Sequence, residues 1–252
     1  MTEEHIPLNG IAQETQKLIL RFMSQTRETL GVHLESINLI GSVLTDDYDP
    51  KRSDINTVLV ISKQSREILD RMARLLKQSR TRGLGLPLLM TSDYIDRSRD
   101  VFGIELLDFQ LNHRTLCGED PFEDLVFEHP HVRLQCEREL KAMLIRLRQG
   151  YMASYNDHKR MKDIMIATVK GMLSLFRATL WLHDKDRDPQ CLKTTEQIKE
   201  SFGLEVEVLT TILDWRYGRS RVQSEDYAAQ FDDLYTLINH LADIIDRFEE
   251  TT

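Results

Sequence analysis

The chain is 252 residues long, 41% hydrophobic, and carries a formal net charge of −8. That length supports one large core or two modest ones, and an acidic balance spread over both halves excludes a broad nucleic-acid surface. Cys117, Cys136 and Cys191 show no Cys-x-x-Cys spacing, which argues against a disulfide framework or zinc ribbon. The polar start, Met1-Thr2-Glu3-Glu4-His5, is unlike a signal peptide, and the apolar stretch at 164–182 is broken by Lys170 and Arg177; a cytoplasmic protein with no membrane attachment is the expectation.

In chain order, residues 11–30 place Ile11, Leu18, Ile19, Phe22, Thr26 and Leu30 at helical spacing, with Gly31 as the stop. Residues 34–40 and 55–61 are short, apolar and β-branched, which predicts two strands. A helix is predicted over 65–82, with Ile68, Leu69, Met72, Leu75 and Leu76 inward and Arg66, Arg71, Arg74, Lys77 and Arg80 on a solvated face. Residues 86–90, following Gly83 and Gly85, read as a strand. One or two helical turns follow at 92–99, capped by Ser92 or Asp93, and 101–111 reads as a further strand. Strand and helix alternate up to this point, as in a mixed sheet.

After Pro130 almost only helical periodicity remains, at 132–155, 158–183, 193–202, 205–216 and 224–249. The second of these is apolar nearly all round and should be the central helix of a bundle. The expected fold class is α+β: a mixed sheet with flanking helices over residues 1–125, then an all-α bundle over 126–252. The boundary should fall within 118–131, at the Gly118-Glu119-Asp120-Pro121 turn or the His129-Pro130-His131 step.

The chemistry concentrates between the first two strands. Gly41-Ser42 leaves the first strand and offers backbone N–H groups and a hydroxyl to an anion. Asp54 and Asn56 lie two apart at the start of the second, so their side chains share a face. Lys51 and Arg52 precede them and could meet phosphates, while Asp46, Asp47 and Asp49 make the same loop acidic.

Gly41-Ser42 followed by Ser53-Asp54-Ile55-Asn56 resembles the signature of the polymerase-β-type nucleotidyltransferases, the aminoglycoside nucleotidyltransferases in particular. The stretch from Phe102 through Glu105 and Asp108 to Gly118-Glu119-Asp120-Pro121 extends the likeness over about half the chain. The resemblance implies a nucleotidyltransferase-like sheet domain and transfer of a nucleoside monophosphate from a nucleoside triphosphate to a small acceptor. It also implies Mg²⁺ or another divalent cation held by Asp54, Asn56 and Glu105, with Asp54 and Glu105 catalytic and Gly41, Ser42, Lys51 and Arg52 holding the nucleotide. Glu105 and Asp108 are alternates for the third acid; on a strand they would point to opposite faces. The family's second aspartate is Asn56 here, which removes a charge beside the metal. The second reading is therefore a degenerate nucleotide-binding or regulatory protein without transferase activity. Whether the chain forms a homodimer is left open.

Other features compete less well. Helical domains of the HEPN group carry an Arg-x₄₋₆-His ribonuclease motif, and Arg177 and His183 fit it. Arg27 and His33 fit equally, so the spacing has little force. His129 and His131 lack a third metal ligand at suitable spacing. Arg146 and Arg148 read as a solvent face, and Tyr151 and Tyr155 as packing.

Overall fold

The structure, a computed structural model, describes residues 8–79, 83–155, 157–219 and 226–248. The polar start, Arg80 with the predicted helical residues to 82, the break at Asn156, and the predicted ends at 224–225 and 249 lie outside them. The elements run α1 (Gln13–Leu30), β1 (Leu34–Ile40), β2 (Asn56–Ile61), α2 (Arg66–Ser79), β3 (Leu88–Met90), α3 (Ser92–Arg97), α4 (Gly103–Leu111), β4 (His113–Cys117), α5 (His129–Ala153), α6 (His158–Leu182), α7 (Cys191–Phe202), α8 (Glu207–Tyr217) and α9 (Asp226–Asp246). The class is α+β, a mixed four-stranded sheet with helices and then helices α5–α9. Two compact units emerge: the chain to Arg99 with Leu106–Val126, and Asp100–Glu105 with the chain from Phe127 onward.

In the first unit the strand order is β3-β2-β1-β4. β1 runs antiparallel to both β2 and β4, and β2 runs parallel to β3. β1 and β2 are buried on both faces over most of their length, and Val58–Ile61 of β2 accordingly reads as a continuous apolar run. α1 and α2 cover one face, packing Ile19, Phe22, Ile68 and Met72 against Ile37, Leu39, Leu59 and Ile61. The other face of β1 presents Ser36 and Asn38. Asn38 is fully buried; it donates to Ser36 Oγ (2.9 Å) and accepts from Thr115 Oγ1 (2.8 Å), which fixes the edge strand β4 to β1.

The predicted strand at 101–111 is instead the helix α4. Its Leu, Glu and Gln residues are good helix formers, and its buried Gly103, Ile104, Leu106 and Leu107 follow helical spacing rather than alternation. The place beside β1 goes to β4, whose polar, half-buried His-Arg-Thr-Leu-Cys suits a sheet edge.

In the second unit α6 packs against α5, α7, α8 and α9. By length and composition α6 could cross a membrane, but Met165, Met172, Phe176 and Leu180 are buried within this unit. α5 starts at His129, earlier than expected, because a proline in a first helical turn loses no hydrogen bond and has the helical φ already set. Gln135 of α5 is buried; its Oε1 accepts from the Ile104 N–H (2.9 Å), and its Nε2 donates to Glu105 Oε2 (2.8 Å). The three cysteines are free, and burial followed by the nearby Glu105 charge pushes the Cys136 thiol up to about 12.

Candidate functional site

The polar groups of interest gather at one end of the sheet. β1 ends at Ile40, which lies opposite Asn56 at the start of β2 and His113 at the start of β4. The chain then turns at Gly41, whose φ of 76° is in the left-handed region. Gly41–Leu44 forms a single 3₁₀ turn, closed by Thr45 donating from its N–H (3.0 Å) and its hydroxyl (3.2 Å) to the Ser42 carbonyl. Asn112 Nδ2 donates to the Gly41 carbonyl (3.1 Å) and ties the turn to the chain just before β4.

Asp54 and Asn56 are exposed and share one face of β2. The neighbouring segment shows where they point. A β-carbon placed on Gly85 would lie 2.6 Å from Asn56 Oδ1 and 3.6 Å from Asp54 Cβ, so both side chains lean over this glycine. A β-carbon on Gly41 would lie 3.8 Å from Asn56 Nδ2. The Asn56 amide therefore spans from the Gly41 turn, which its NH₂ faces, to Gly85, which its oxygen faces. The Ser42 hydroxyl, the Lys51 ammonium and the Asp54 and Asn56 side chains make no hydrogen bond or ion pair with any described residue.

The loop between the turn and Asp54 uses its own acids internally. Asp49 accepts from the Lys51 N–H (2.9 Å) and faces Arg52 at 3.8 Å, and Asp47 lies 3.4 Å from the Thr45 hydroxyl. Arg52 is thus engaged with Asp49, whereas Lys51 extends exposed.

Glu105 sits where no strand expectation would put it. It lies in the first turns of α4 with the second unit, exposed and bound to Gln135 Nε2. Asp108, three residues on, stands one helical turn away on the same side of α4 rather than on an opposite strand face, and belongs to the first unit. The strand that does lie alongside β2 is β3. Val58 pairs with Leu88 in parallel register, so Leu88 shares the face of Asp54, Asn56 and Val58. Leu86 and Leu88 are 82% and 42% exposed there, with no acid between 83 and 90. Sequence reading missed this neighbour because the pairing joins residues thirty positions apart and Leu88 looked like ordinary strand filler.

Where β2 and β3 meet, this face offers one carboxylate, one amide, a glycine and a leucine; across Ile40 the same face carries His113, with Asp120 on its Nε2 (2.7 Å). Among the described residues, no three His, Cys, Asp or Glu side chains gather as a metal site. A hard divalent cation needs several oxygen ligands, usually with one or two carboxylates. Within the first unit Asp54 and Asn56 bring one carboxylate and one amide oxygen, fewer donors than a resident Mg²⁺ needs, and Glu105 belongs to the second unit.

The remaining candidates have structural partners. His183 caps the end of α6, with Nδ1 on the Thr179 carbonyl (2.9 Å) and its ring edge-on to Phe202 and Phe248. His129 stacks on Trp181 at 4.4 Å, and His131 faces Glu128. Arg146 faces Glu139, Tyr151 packs on Phe231, and Tyr155 is exposed. A cleft of about 560 Å³ opens at the opposite end of the sheet, lined in part by Glu35, Asp96, Glu119 and Asp120. With no cation in its walls it suits no phosphate.

A mixed four-stranded sheet with a Gly-Ser turn at its edge, followed in the chain by helices α5–α9, is a fold found among solved nucleotidyltransferases. Spectinomycin adenyltransferase AAD(9) from Enterococcus faecialis, solved with ATP and spectinomycin, shares it with a TM-score of 0.56 over 92% of this chain and 99% of that one, at 13% identity. At that identity the likeness is one of fold. No protein-family model matches the chain, and no curated protein matches it by sequence.

Proposed function

We propose that this chain is a nucleoside-triphosphate-binding protein of nucleotidyltransferase fold that does not catalyse efficient transfer. The carrying observation is the meeting of β2 and β3, where Asp54 is the one carboxylate among Asp54, Asn56, Gly85 and Leu88. In-line nucleotidyl transfer relies on metal ions to neutralise charge on the phosphates, and a single acid gives such ions little hold. The nucleotide part of the reading is supported by the left-handed Gly41-Ser42 turn, by the exposed Lys51 ammonium, which has no ion-pair partner among the described residues, and by a neighbour of the same fold solved with ATP. Arg52, which faces Asp49, would play a secondary part in holding the phosphates. The three free cysteines suit a reducing, cytoplasmic setting.

The test compares wild type with Asn56→Asp combined with Leu88→Glu, which returns two acids to that face. Wild type is expected to bind ATP, seen as a thermal shift, and to show no Mg²⁺-dependent turnover with candidate acceptors. The double variant is expected to gain Mg²⁺-dependent nucleotide turnover. Rapid transfer by wild type would overturn the non-catalytic part, and no shift with ATP, GTP, CTP or UTP would overturn nucleotide binding.

A second reading has its own support. The fold match runs through the whole of a neighbour solved with both ATP and a small-molecule antibiotic, so it includes the helical half. On that reading the chain transfers a nucleotide to a small acceptor, and Glu105 is recruited from α4 as the base. Glu105→Gln would then abolish transfer while ATP binding stayed intact.

A further inference from the structure

We propose that the sheet end carrying Gly41, Ser42, Asp54 and Asn56 takes its nucleoside triphosphate as the free polyanion rather than as the magnesium complex, with Asn56 donating from Nδ2 to a phosphate oxygen. This rests on the nucleotide-binding reading above and goes further, to the charge state of the ligand. Three features of the sheet end support it.

The first is the orientation of the amide. Asn56 Nδ2 faces the Gly41 turn and Oδ1 faces Gly85, so the donor end of the side chain lies toward the Gly-Ser turn. An aspartate at this position could only accept, and beside a phosphate it would need a cation between them. Asparagine supplies the missing hydrogen directly.

The second is the fit of Gly85. Any β-carbon here would stand 2.6 Å from Asn56 Oδ1, closer than non-bonded atoms approach, so the glycine leaves the space that the amide occupies. A β-carbon there would turn the Asn56 amide out of this orientation, which the glycine allows. The glycine's own backbone is held by its N–H donating to the Ile55 carbonyl (3.0 Å), so it cannot simply move aside.

The third is the charge count on the face. Three carboxylates beside a bare triphosphate would repel it strongly, and a metal removes that repulsion; where β2 and β3 meet there is one, Asp54, and of the loop acids Asp49 is already engaged with the Lys51 N–H and Arg52. Against that charge, Lys51 extends exposed two residues before Ser53, with no ion-pair partner among the described residues. Leu86 and Leu88, apolar and exposed, stand where further metal-holding groups would have been useful.

The experiment is isothermal titration of the full chain with ATP, once in EDTA and once in excess Mg²⁺, for wild type and for Asn56→Asp. The substitution is isosteric and exposed, and equal melting curves without nucleotide establish that the variant folds. Wild type is expected to bind in EDTA at least as tightly as in Mg²⁺. Asn56→Asp is expected to lose about tenfold or more in EDTA, the scale of one hydrogen bond to a charged group, and to regain affinity when Mg²⁺ is added. Wild-type binding that demands Mg²⁺ overturns this proposal and leaves the nucleotide reading standing. Unchanged affinity of Asn56→Asp in EDTA overturns the role of Asn56 as donor. Absence of binding in both buffers overturns the nucleotide reading itself.

Discussion

Gly118 is the residue on which the first unit has least freedom. Its φ is +81°, and a β-carbon there would stand 1.9 Å from the Glu35 carbonyl oxygen and 2.8 Å from Ser36 Cα, both backbone atoms of β1's start. Gly118→Ala is expected to cost roughly 3–5 kcal/mol, at the top of the range for single substitutions. Gly10 makes a control: its φ is +84° but nothing lies within 4 Å, so Gly10→Ala should cost only the left-handed strain, about 1–2 kcal/mol. Urea unfolding of both separates collision from conformation. Nearby, His113 is held between the Phe109 carbonyl at Nδ1 and Asp120 Oδ2 at Nε2, each 2.7 Å away. Burial pushes the Asp120 carboxyl up, but the His113 ring and the N–H groups of Phe122 and Glu123 outweigh it and hold its pKa below the usual 3.8. A folded-state pKa below the unfolded one stabilises the fold above the unfolded value, and the benefit is lost as pH falls through the folded value. The stability difference between wild type and Asp120→Asn is therefore expected to be full near pH 5 and to close below 3.8. A difference that stays constant into acid would show that the carboxylate charge contributes nothing.

At the scale of elements, β1, β2, α1 and α2 were legible because each is specified locally, by β-branched apolar runs or by helical periodicity ending at a glycine. The five helices after Pro130 were legible for the same reason. α4 and β4 were not. α4 is apolar without clear alternation, and the residue that fixes its start, Gln135, comes from α5 thirty-one positions later. β4 is polar because it is an edge, and a polar edge strand looks like a loop. Gln135 also offers a test of how α4 is anchored. Gln135→Glu keeps the acceptor for Ile104 N–H but sets a carboxylate against Glu105, where the amide had donated over 2.8 Å. In a buried position this should cost about 2–4 kcal/mol at neutral pH, from a lost donor and like-charge repulsion. The loss should shrink in mildly acidic buffer, when one of the two carboxyls takes a proton and can donate again. Thermal melting at pH 7 and at pH 4.5 checks both halves of that expectation.

For the molecule as a whole, a fold shared over 92% of the chain at 13% identity means that burial pattern and turn chemistry, rather than particular residues, carry the architecture. The same looseness does not extend to the site. The sequence placed Gly41, Ser42, Asp54 and Asn56 close together because they are near neighbours along the chain. It could not place Gly85 or Leu88 beside them, since a parallel pairing between β2 and β3 is set by the packed sheet and not by any local signal. Ligand binding should reveal the same geography. Saturation with ATP at a hundredfold excess over its dissociation constant stabilises the binding-competent state by about 2.7 kcal/mol. Hydrogen exchange followed by mass spectrometry, with and without ATP in EDTA, should show slowed exchange in 41–56 and 83–90, the segments that carry the Gly-Ser turn, Asp54, Asn56 and Gly85. Peptides lining the cleft at the opposite end of the sheet, around Glu35, Ser92 and Glu119, should be slowed much less, because they feel only the global stabilisation. Protection strongest around Glu35 and Glu119 would move the nucleotide to the other end of the sheet and remove Asn56 from any part in holding it.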